Sequence, residues 1–343
     1  MNWLDYKRKF EPSKNWIISN QSPSGAIFWD EKGKCDPWDH CECLIALAIY
    51  EEWDSFWRGV NWFFTNLNED GLIYAEFLNE KPSKLHYESH HAPYIIIPLI
   101  QAHLIDQDQD YNKILTNEQL IMLENIFETL NDFKDQDGYF YWAKDCNGYS
   151  DNSLITASMS ILLSLVAKNK IFPEFKINMW QEKFNRDGID RSRFSMDFYY
   201  PFLAGIKNNK NEFLELLDKY YIKGLGVKCV AEEPWVTIAE SSECVISALI
   251  HGNENIAKEI FNDIQQFQNQ DGIFPTGYQY DIKIFWPEEN STWTNAAVII
   301  AAHALSFYDL GSNESSVNVF LELGNFFKSN YTFNSIYKFK IFY

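Results

Sequence analysis

Residues 34–43 read KCDPWDHCEC and set Asp36, Trp38, Asp39, His40 and Glu42 at the start of the apolar run LIALAIY. A second cluster, AEEPWVTIAESSE, carries Glu232, Glu233, Trp235, Glu240 and Glu243. Positions three or four apart share a helix face, so Asp36 with Asp39, and Glu240 with Glu243, can point the same way. Paired carboxylates beside aromatic rings suit general acid–base chemistry, in which one group holds a proton and the other accepts or attacks. Glu240 and Glu243 lie a turn or more inside an otherwise apolar segment, where no cap calls for them. Buried carboxylates are costly unless paired or used. Asp39 and Glu240 are therefore the expected working pair, with His40, Asp197 and Glu233 as further catalytic candidates.

Other clusters supply expected substrate contacts. They are Asp36 and Trp38; His90, His91 and Tyr94 of ESHHAPY; Arg193, Tyr199 and Tyr200 of RSRFSMDFYYP; Trp235; and Trp286, Glu289 and Trp293 of FWPEENSTWT. Asp151, Ser195 and Ser291 read as ordinary helix caps, and Pro37 and Pro234 as first-turn prolines. No metal or cofactor is expected. Asp39, His40, Cys41 and Cys43 are close in sequence, but adjacent helix positions diverge, and no HExxH, CxxC pair or DxDxDG loop is present. The chain also lacks a GxSxG nucleophile turn and a glycine-rich phosphate loop.

Something must gather these clusters. The chain is punctuated by QSPSGAI, NEDGLIY, DQDGYFY, NRDGID, KGLGV and NQDGIF, with glycines at 25, 71, 138, 188, 226 and 272. Glycine permits the positive φ of a tight turn, and the preceding Asp favours the same turn. After each turn comes a polar, aromatic loop and then an apolar run: 37–50, 88–104, 151–168, 195–206, 234–250 and 291–307. Runs apolar on all faces read as buried helices. Between them lie amphipathic segments at 54–68, 117–133, 175–184, 211–222 and 255–267, with 315–330 completing the set. Six buried helices alternating with six amphipathic ones predict an all-α (α/α)6 toroid, inner ring within outer ring, one domain over residues 1–343. Strands are expected only as short stretches such as GYFYWAK in the loops. All six clusters then sit at the N-terminal ends of the inner helices, around one mouth. The DQDQD run at 106–110 follows an inner helix and reads as a solvated turn at the far end.

Composition fits a ligand-binding barrel. Hydrophobic residues make up 46% of the 343, and aromatics 17%. The net charge of −19 disfavours nucleic acid and anionic membrane surfaces as partners. No signal-peptide pattern opens the sequence, no apolar run is long enough to span a bilayer, and the six cysteines follow no disulfide framework. A cytoplasmic protein with reduced thiols is expected.

QNQDGIF resembles the QxxDGxW/F repeat of terpenoid cyclases and protein prenyltransferases, which are α/α toroids. CDPWDHCE, RFSMDFYYP, GLGVKCVAEEPWVT and WPEENSTWT resemble a bacterial group described as prenyltransferase-like, across nearly the whole chain. That resemblance implies the toroid fold. It carries over no catalytic residue, because the cyclase DxDD acid and the prenyltransferase Asp–Cys–His zinc set are both missing. The six-hairpin glycosidases are similar in architecture and place acidic and aromatic residues at the same mouth. A polyene cyclase needs an apolar cavity around one strong acid, whereas a sugar enzyme needs hydrogen-bonding groups, aromatic platforms and two carboxylates. The polar mouth favours an enzyme acting on a carbohydrate or glycoconjugate, of hydrolase, lyase or epimerase type. The alternatives are an isoprenoid cyclase or transferase and a non-catalytic binding toroid. The expected partner is a small-molecule or oligosaccharide substrate.

Overall fold

The computed structural model describes residues 2–136, 138–168, 188–308 and 317–330, with the side chains of 327–330 excluded. Its helices are α1 (Trp3–Lys9), α2 (Glu11–Ser19), α3 (Pro37–Ile49), α4 (Trp53–Thr65), α5 (Ile96–Ile105), α6 (Tyr111–Ile114) and α7 (Asn117–Thr129). They continue with α8 (Ile155–Ala167), α9 (Ser195–Leu203), α10 (Lys210–Leu217), α11 (Ile238–Ile250), α12 (Glu254–Ile264), α13 (Thr292–Tyr308) and α14 (Val319–Asn330). Helices α3, α5, α8, α9, α11 and α13 pack each on the next, and α13 returns to α3, so the inner ring closes.

The residue types explain the two layers. All thirteen residues of α11 are buried, including three serines. Those hydroxyls turn back on carbonyls one helical turn earlier: Ser241 Oγ donates to Thr237 O at 2.6 Å, Ser242 to Ile238 O at 2.8 Å and Ser247 to Glu243 O at 3.2 Å. A small polar residue that satisfies itself in this way can face a neighbouring helix at close range. By contrast, α12 buries Ala257, Ile260, Phe261 and Ile264, one stripe at helical spacing, and leaves its charges outside. Helices α4, α7 and α10 share this outer role, while the segment 175–184 lies outside the described residues.

One expected outer helix is not outer. The final segment, α14, packs on α5, α8, α9 and α11, so it sits across the base of the ring. Val319, Phe320, Leu321 and Leu323 are all buried, while Glu322 is half-buried and Asn325 and Phe326 are exposed. The N-terminal helices α1 and α2 cover α13 instead. The run at 106–110 forms the expected turn beyond α5, where Asp106 Oδ1 accepts from Asp108 N and Asp110 caps α6.

The recurring turns work somewhat differently from expectation. The residue three before the glycine holds the turn, rather than the Asp just before it. Asn68 Oδ1 accepts from Asp70 N and Leu72 N at 3.1 and 2.8 Å. Asn269 Oδ1 does the same for Asp271 N and Ile273 N at 3.0 and 2.9 Å. This is an Asx turn, in which a short side chain replaces a backbone acceptor. Gly71 has a φ of +76°, and a Cβ there would lie 2.7 Å from Ile126 N, so the turn is pressed on α7 and admits no side chain.

Among the described residues, ten short strands stitch the mouth loops together. A five-stranded sheet runs β1 (Lys34–Cys35), β2 (Tyr74–Leu78), β3 (Lys81–Glu88), β4 (Ala143–Asp145) and β5 (Gly148–Tyr149), joining the loops ahead of α3, α5 and α8. The β2–β3 hairpin turns on Asn79 and Glu80, both at positive φ, as a two-residue hairpin requires. Strands β6 (Tyr221–Ile222) and β7 (Gly226–Val227) pair with each other. Strands β8 (Trp235–Thr237), β9 (Gly277–Gln279) and β10 (Ile284–Phe285) join the loops ahead of α11 and α13. Thr292 N donates to Trp29 O at 2.8 Å and closes the circuit from the sixth loop to the first.

Candidate active site

The mouth residues are set by these strands and helix starts. Asp36, just after β1, caps α3: its Oδ1 accepts from Trp38 N at 2.8 Å and Asp39 N at 3.4 Å, and Pro37 takes the first helical position. Strand β3 ends on Glu88, which pairs with Ala143 of β4, so the sheet sets where that carboxylate stands. Ser291 caps α13 through Thr294 N at 3.1 Å. Asp151 and Ser195 do not cap their helices, and Pro234 lies in the turn before β8 rather than in a helix.

Four inner helices meet at a cluster of carboxylates and tyrosines. Glu42, one turn below Asp39 on α3, accepts from Tyr94 Oη at 2.5 Å. Glu243, one turn below Glu240 on α11, accepts from Tyr199 Oη and, at 3.2 Å, from Tyr200 Oη. Trp38 stands edge-on to His90 at 5.2 Å, to Tyr94 at 5.8 Å and to Tyr200 at 5.8 Å, which ties the α3, α5 and α9 starts into one wall. Glu42, Glu240 and Glu243 are at most 5% exposed, whereas Asp39 is half-buried at the upper edge.

This cluster holds more carboxylates than cations. Burial drives the Asp39 carboxyl well above its usual range, and Asp36 adds to the rise, while Lys34 is the cation that opposes it. Burial pushes Glu42 up to about 7, against the pull of the Tyr94 hydroxyl. Glu243 is raised well above its ordinary value, first by burial and then by Glu42. Burial raises Glu240 too. Removing a carboxylate from water penalises its charged form, and like charges nearby add to the penalty. The site therefore stores protons near neutrality, as a general acid needs.

Other expected residues fall into four places. Asp197 on α9 accepts from Thr156 Oγ1 of α8 at 2.9 Å, and burial pushes it up to about 6. Glu88 gathers three imidazoles: His86 Nε2 at 3.2 Å, His91 Nε2 at 3.4 Å and His90 Nε2 at 3.9 Å, with Trp142 Nε1 donating to it at 3.2 Å. At the α3–α13 seam, Glu289 accepts from Trp29 Nε1 at 2.9 Å, and Trp29 lies 5.8 Å from Trp293. At the rim ahead of α9 and α11, Arg193 pairs with Glu232 beside Glu233, Trp235 and Trp286.

His40 does not join them. Its Nδ1 accepts from Ile27 N at 3.2 Å, its Nε2 bonds Gly59 O at 3.1 Å, and its ring packs on Trp62 and Phe63 of α4. Burial drives its pKa down to about 4, so it is a neutral strut between the rings. Its neighbours Asp39 and Glu42 face the mouth because they lie one and two positions away on a helix of 3.6 residues per turn.

Glu42 and Glu243 are the functional candidates that the choice of Asp39 and Glu240 passed over. Their signal was visible: each sits three residues after a chosen carboxylate, on the same face. Trp29 and Trp142 had no such signal, because each is isolated in a loop and placed only by contacts between loops.

The atoms of Glu88, His90 and His91 that could ligate a metal lie within 4.8 Å of one another. However, His90 and His91 are both buried with Nδ1 lacking a partner, whereas metal-bound imidazoles are ordinarily held by a hydrogen bond at the second nitrogen. The trio is better read as a polar wall of the mouth.

Comparison with known proteins fits this geometry. No protein-family profile matches the chain. It is 28% identical over 306 residues, 84% of each chain, to an MMP endo-(1,4)-3-O-methyl-alpha-D-mannosidase from Mycolicibacterium hassiacum. In structure it is similar to a glycosidase (TM-score 0.64, 12% identity, 88% of this chain and 97% of that one). It is also similar to a D-mannose isomerase (0.63, 11%, 88% and 96%) and to an alpha-amylase from Clostridium perfringens (0.60, 11%, 86% and 97%). These structures share the α/α-toroid fold of this chain. The prenyltransferase-like resemblance gains no support from these matches, and the isoprenoid alternative is not favoured. Among the described residues no helix is long and apolar enough to cross a membrane.

Proposed function

We propose that the protein is a carbohydrate-active enzyme, a glycoside hydrolase that cleaves an α-linked, mannose-type oligosaccharide. The observation that carries this reading is the double carboxylate pair, Asp39 with Glu42 on α3 and Glu240 with Glu243 on α11, backed by tyrosines and facing an aromatic mouth. The M. hassiacum mannosidase, similar over most of both chains, supports the mannose preference.

In this reading Asp39 and Glu240 are the working groups, on inner helices that flank α13. One of them protonates the departing glycosidic oxygen. The other, ionised, either activates water or attacks the anomeric carbon. Glu42 and Glu243 lie a turn deeper and hold the proton store. His90, His91, Tyr94, Trp38, Tyr199 and Tyr200 form the wall against which the sugar is positioned, with Asp36 fixing the start of α3. Asp197, Glu289 and Trp293 border it on the α9 and α13 sides. All six cysteines are free thiols, which supports a reducing, cytoplasmic setting.

The test is a screen of purified protein against α-(1→4)-linked manno- and gluco-oligosaccharides, with and without O-methyl groups, read by mass spectrometry. D-mannose is included to detect isomerisation. Shorter oligosaccharides from the mannose series are expected. Conversion of D-mannose to a ketose with no cleavage of any oligosaccharide would overturn the hydrolase reading.

A further inference from the structure

At the rim ahead of α9 and α11 lies a cavity of about 440 Å³, within the size range of small-molecule sites. We infer that it holds an acyl chain carried as an ester on the glycan, so that the substrate class is an acylated oligosaccharide. This rests on the glycoside hydrolase reading and adds to it a non-sugar substituent.

The first observation is the lining. Seven of its ten residues are apolar, among them Phe194, Trp235, Ile282, Ile284 and Trp286. The three polar ones offer little. Gln279 Oε1 already accepts from Ile282 N at 2.9 Å, and Glu233 is exposed to water. Arg193 pairs with Glu232, and its guanidinium lies 5.8 Å from the centre of the Phe194 ring. Its Nε is buried without a partner. The cavity thus provides apolar surface and, at Arg193 Nε, a buried N–H to spare.

That combination selects the occupant. A sugar ring would bring several hydroxyl donors, and burying them unpaired is costly. A free fatty acid would bring a full negative charge to a guanidinium that Glu232 already neutralises, with Glu233 close by. A plain hydrocarbon would leave Arg193 Nε unsatisfied. An ester has a carbonyl acceptor, no donor and no charge. Its oxygen accepts from Arg193 Nε, and its alkyl chain lies against Trp235, Trp286 and the two isoleucines.

The second observation is that this apolar wall is fixed in the open and adjoins the acid cluster. Trp235 Nε1 donates to Trp286 O at 2.7 Å, and the two indoles stand edge-on at 4.9 Å. Strand β8 pairs with β9 through Trp235 and Gln279, and Trp286 N donates to Gly277 O at 3.0 Å. Yet Ile282 is 64%, Trp286 51% and Ile284 44% exposed. Large apolar side chains held in water side by side mark a surface that something covers. Phe194 lines the cavity three residues before Asp197, and Trp235 lines it five residues before Glu240. A glycan engaged at the carboxylates therefore has this cavity beside it, along the same two loops, and a chain esterified to one of its hydroxyls covers the wall.

Two measurements test this. The first does not depend on hydrolysis: calorimetric titration with the octanoyl ester of methyl α-D-mannoside, the matching octyl ether, the unmodified mannoside and octanoate. The ester is expected to bind most tightly, by about tenfold or more over the unmodified mannoside, since each buried methylene adds to affinity. Ile282→Asp and Ile284→Asp should erase that gain, and the exposure of both side chains lets the fold tolerate the change. Octanoate or the ether binding as tightly as the ester, or a gain that both variants keep, overturns the acyl site. In the second, kcat/KM is compared for an octanoylated and an unacylated α-(1→4)-mannan oligomer of equal length. Wild type should prefer the acylated oligomer by about tenfold or more. Ile282→Asp should remove that preference while leaving cleavage of the unacylated oligomer within about twofold. No preference in an active wild type, or an equal loss on both substrates, also overturns the acyl site. Ester binding that both variants abolish, with no cleavage of any glycan, would sink the hydrolase reading alone.

Discussion

The two ends of the inner ring solve opposite problems with the same helices. At the base, polar groups are spent on structure. Gln101 Nε2 donates to Val317 O at 2.7 Å and its Oε1 accepts from Val319 N at 2.9 Å, which seats α14 against the ring. Asn318 lies 3.3 Å from His303 Nδ1, and Val319, Phe320, Leu321 and Leu323 fill the remaining space. At the mouth, polar groups are left with capacity to spare. His90 Nδ1, His91 Nδ1, Ser153 Oγ, Ser195 Oγ and one oxygen of Asp197 have no partner, and the carboxylates repel one another. Buried polar groups are ordinarily paired; the base has unpaired atoms of its own, His103 Nδ1, Asn253 Nδ2 and His303 Nε2, but only at the mouth do such atoms stand beside several carboxylates whose pKa burial pushes up. The comparison teaches that stability and chemistry are separated along the barrel axis.

The largest expected effect breaks the mouth alone. Asp39→Asn and Glu240→Gln keep shape and remove the proton-transferring group. Each should lower turnover on a mannose-type oligosaccharide by about 10²–10⁴-fold, the usual weight of acid–base catalysis. Thermal unfolding should stay level or rise, because a buried charge is removed. Full activity in both variants would make the pair structural.

The converse change should break only the base. Leu321→Ala leaves a cavity where α14 meets the ring, and the usual cost of such a truncation is about 2–5 kcal/mol. Denaturant unfolding should report that loss with kcat unchanged. A large fall in kcat in the folded variant would show that the two ends are coupled.

A third prediction sharpens the picture of the mouth as a proton store. Glu42 is held near 7 by burial, above its ordinary 4.5. The folded state therefore binds this proton more tightly than the unfolded chain, so its contribution to stability is fully present below about pH 4.5 and is lost as pH rises through 7. Glu42→Gln mimics the protonated form. It should leave the melting temperature unchanged at pH 5 and stabilise the protein at pH 8, by about 1–3 kcal/mol. Equal effects at both pH values would remove Glu42 from the store.

The smallest expected effect is on the same group. The Tyr94 hydroxyl favours ionised Glu42, so Tyr94→Phe should move the Glu42 titration upward, by up to about one pH unit. The carboxyl stretch in infrared difference spectra follows it directly, and a downward move would mean that Tyr94 acts otherwise.

Much of this was legible in the sequence, for reasons tied to particular residues. The apolar runs around Leu44 and Val245 bury on every face, so their period and composition alone announce inner helices. The i, i+3 spacing of Asp39–Glu42 and Glu240–Glu243 puts each pair on one side of its helix whatever the surroundings. Tertiary structure decided what lies beyond the reach of one helix. It turned His40 toward Trp62 and Phe63 while its neighbours faced the mouth. It drew α14 beneath the ring and gave its expected outer place to α1 and α2, because only the closed ring offers an apolar hole to fill. It brought Trp142 to Glu88 through the pairing of β3 with β4, and Trp29 to Glu289 where the first and sixth mouth loops meet. A helix's face follows from local geometry, and so it can be read from spacing. Which faces meet depends on how the ring closes, and that is settled only when all six inner helices are packed together.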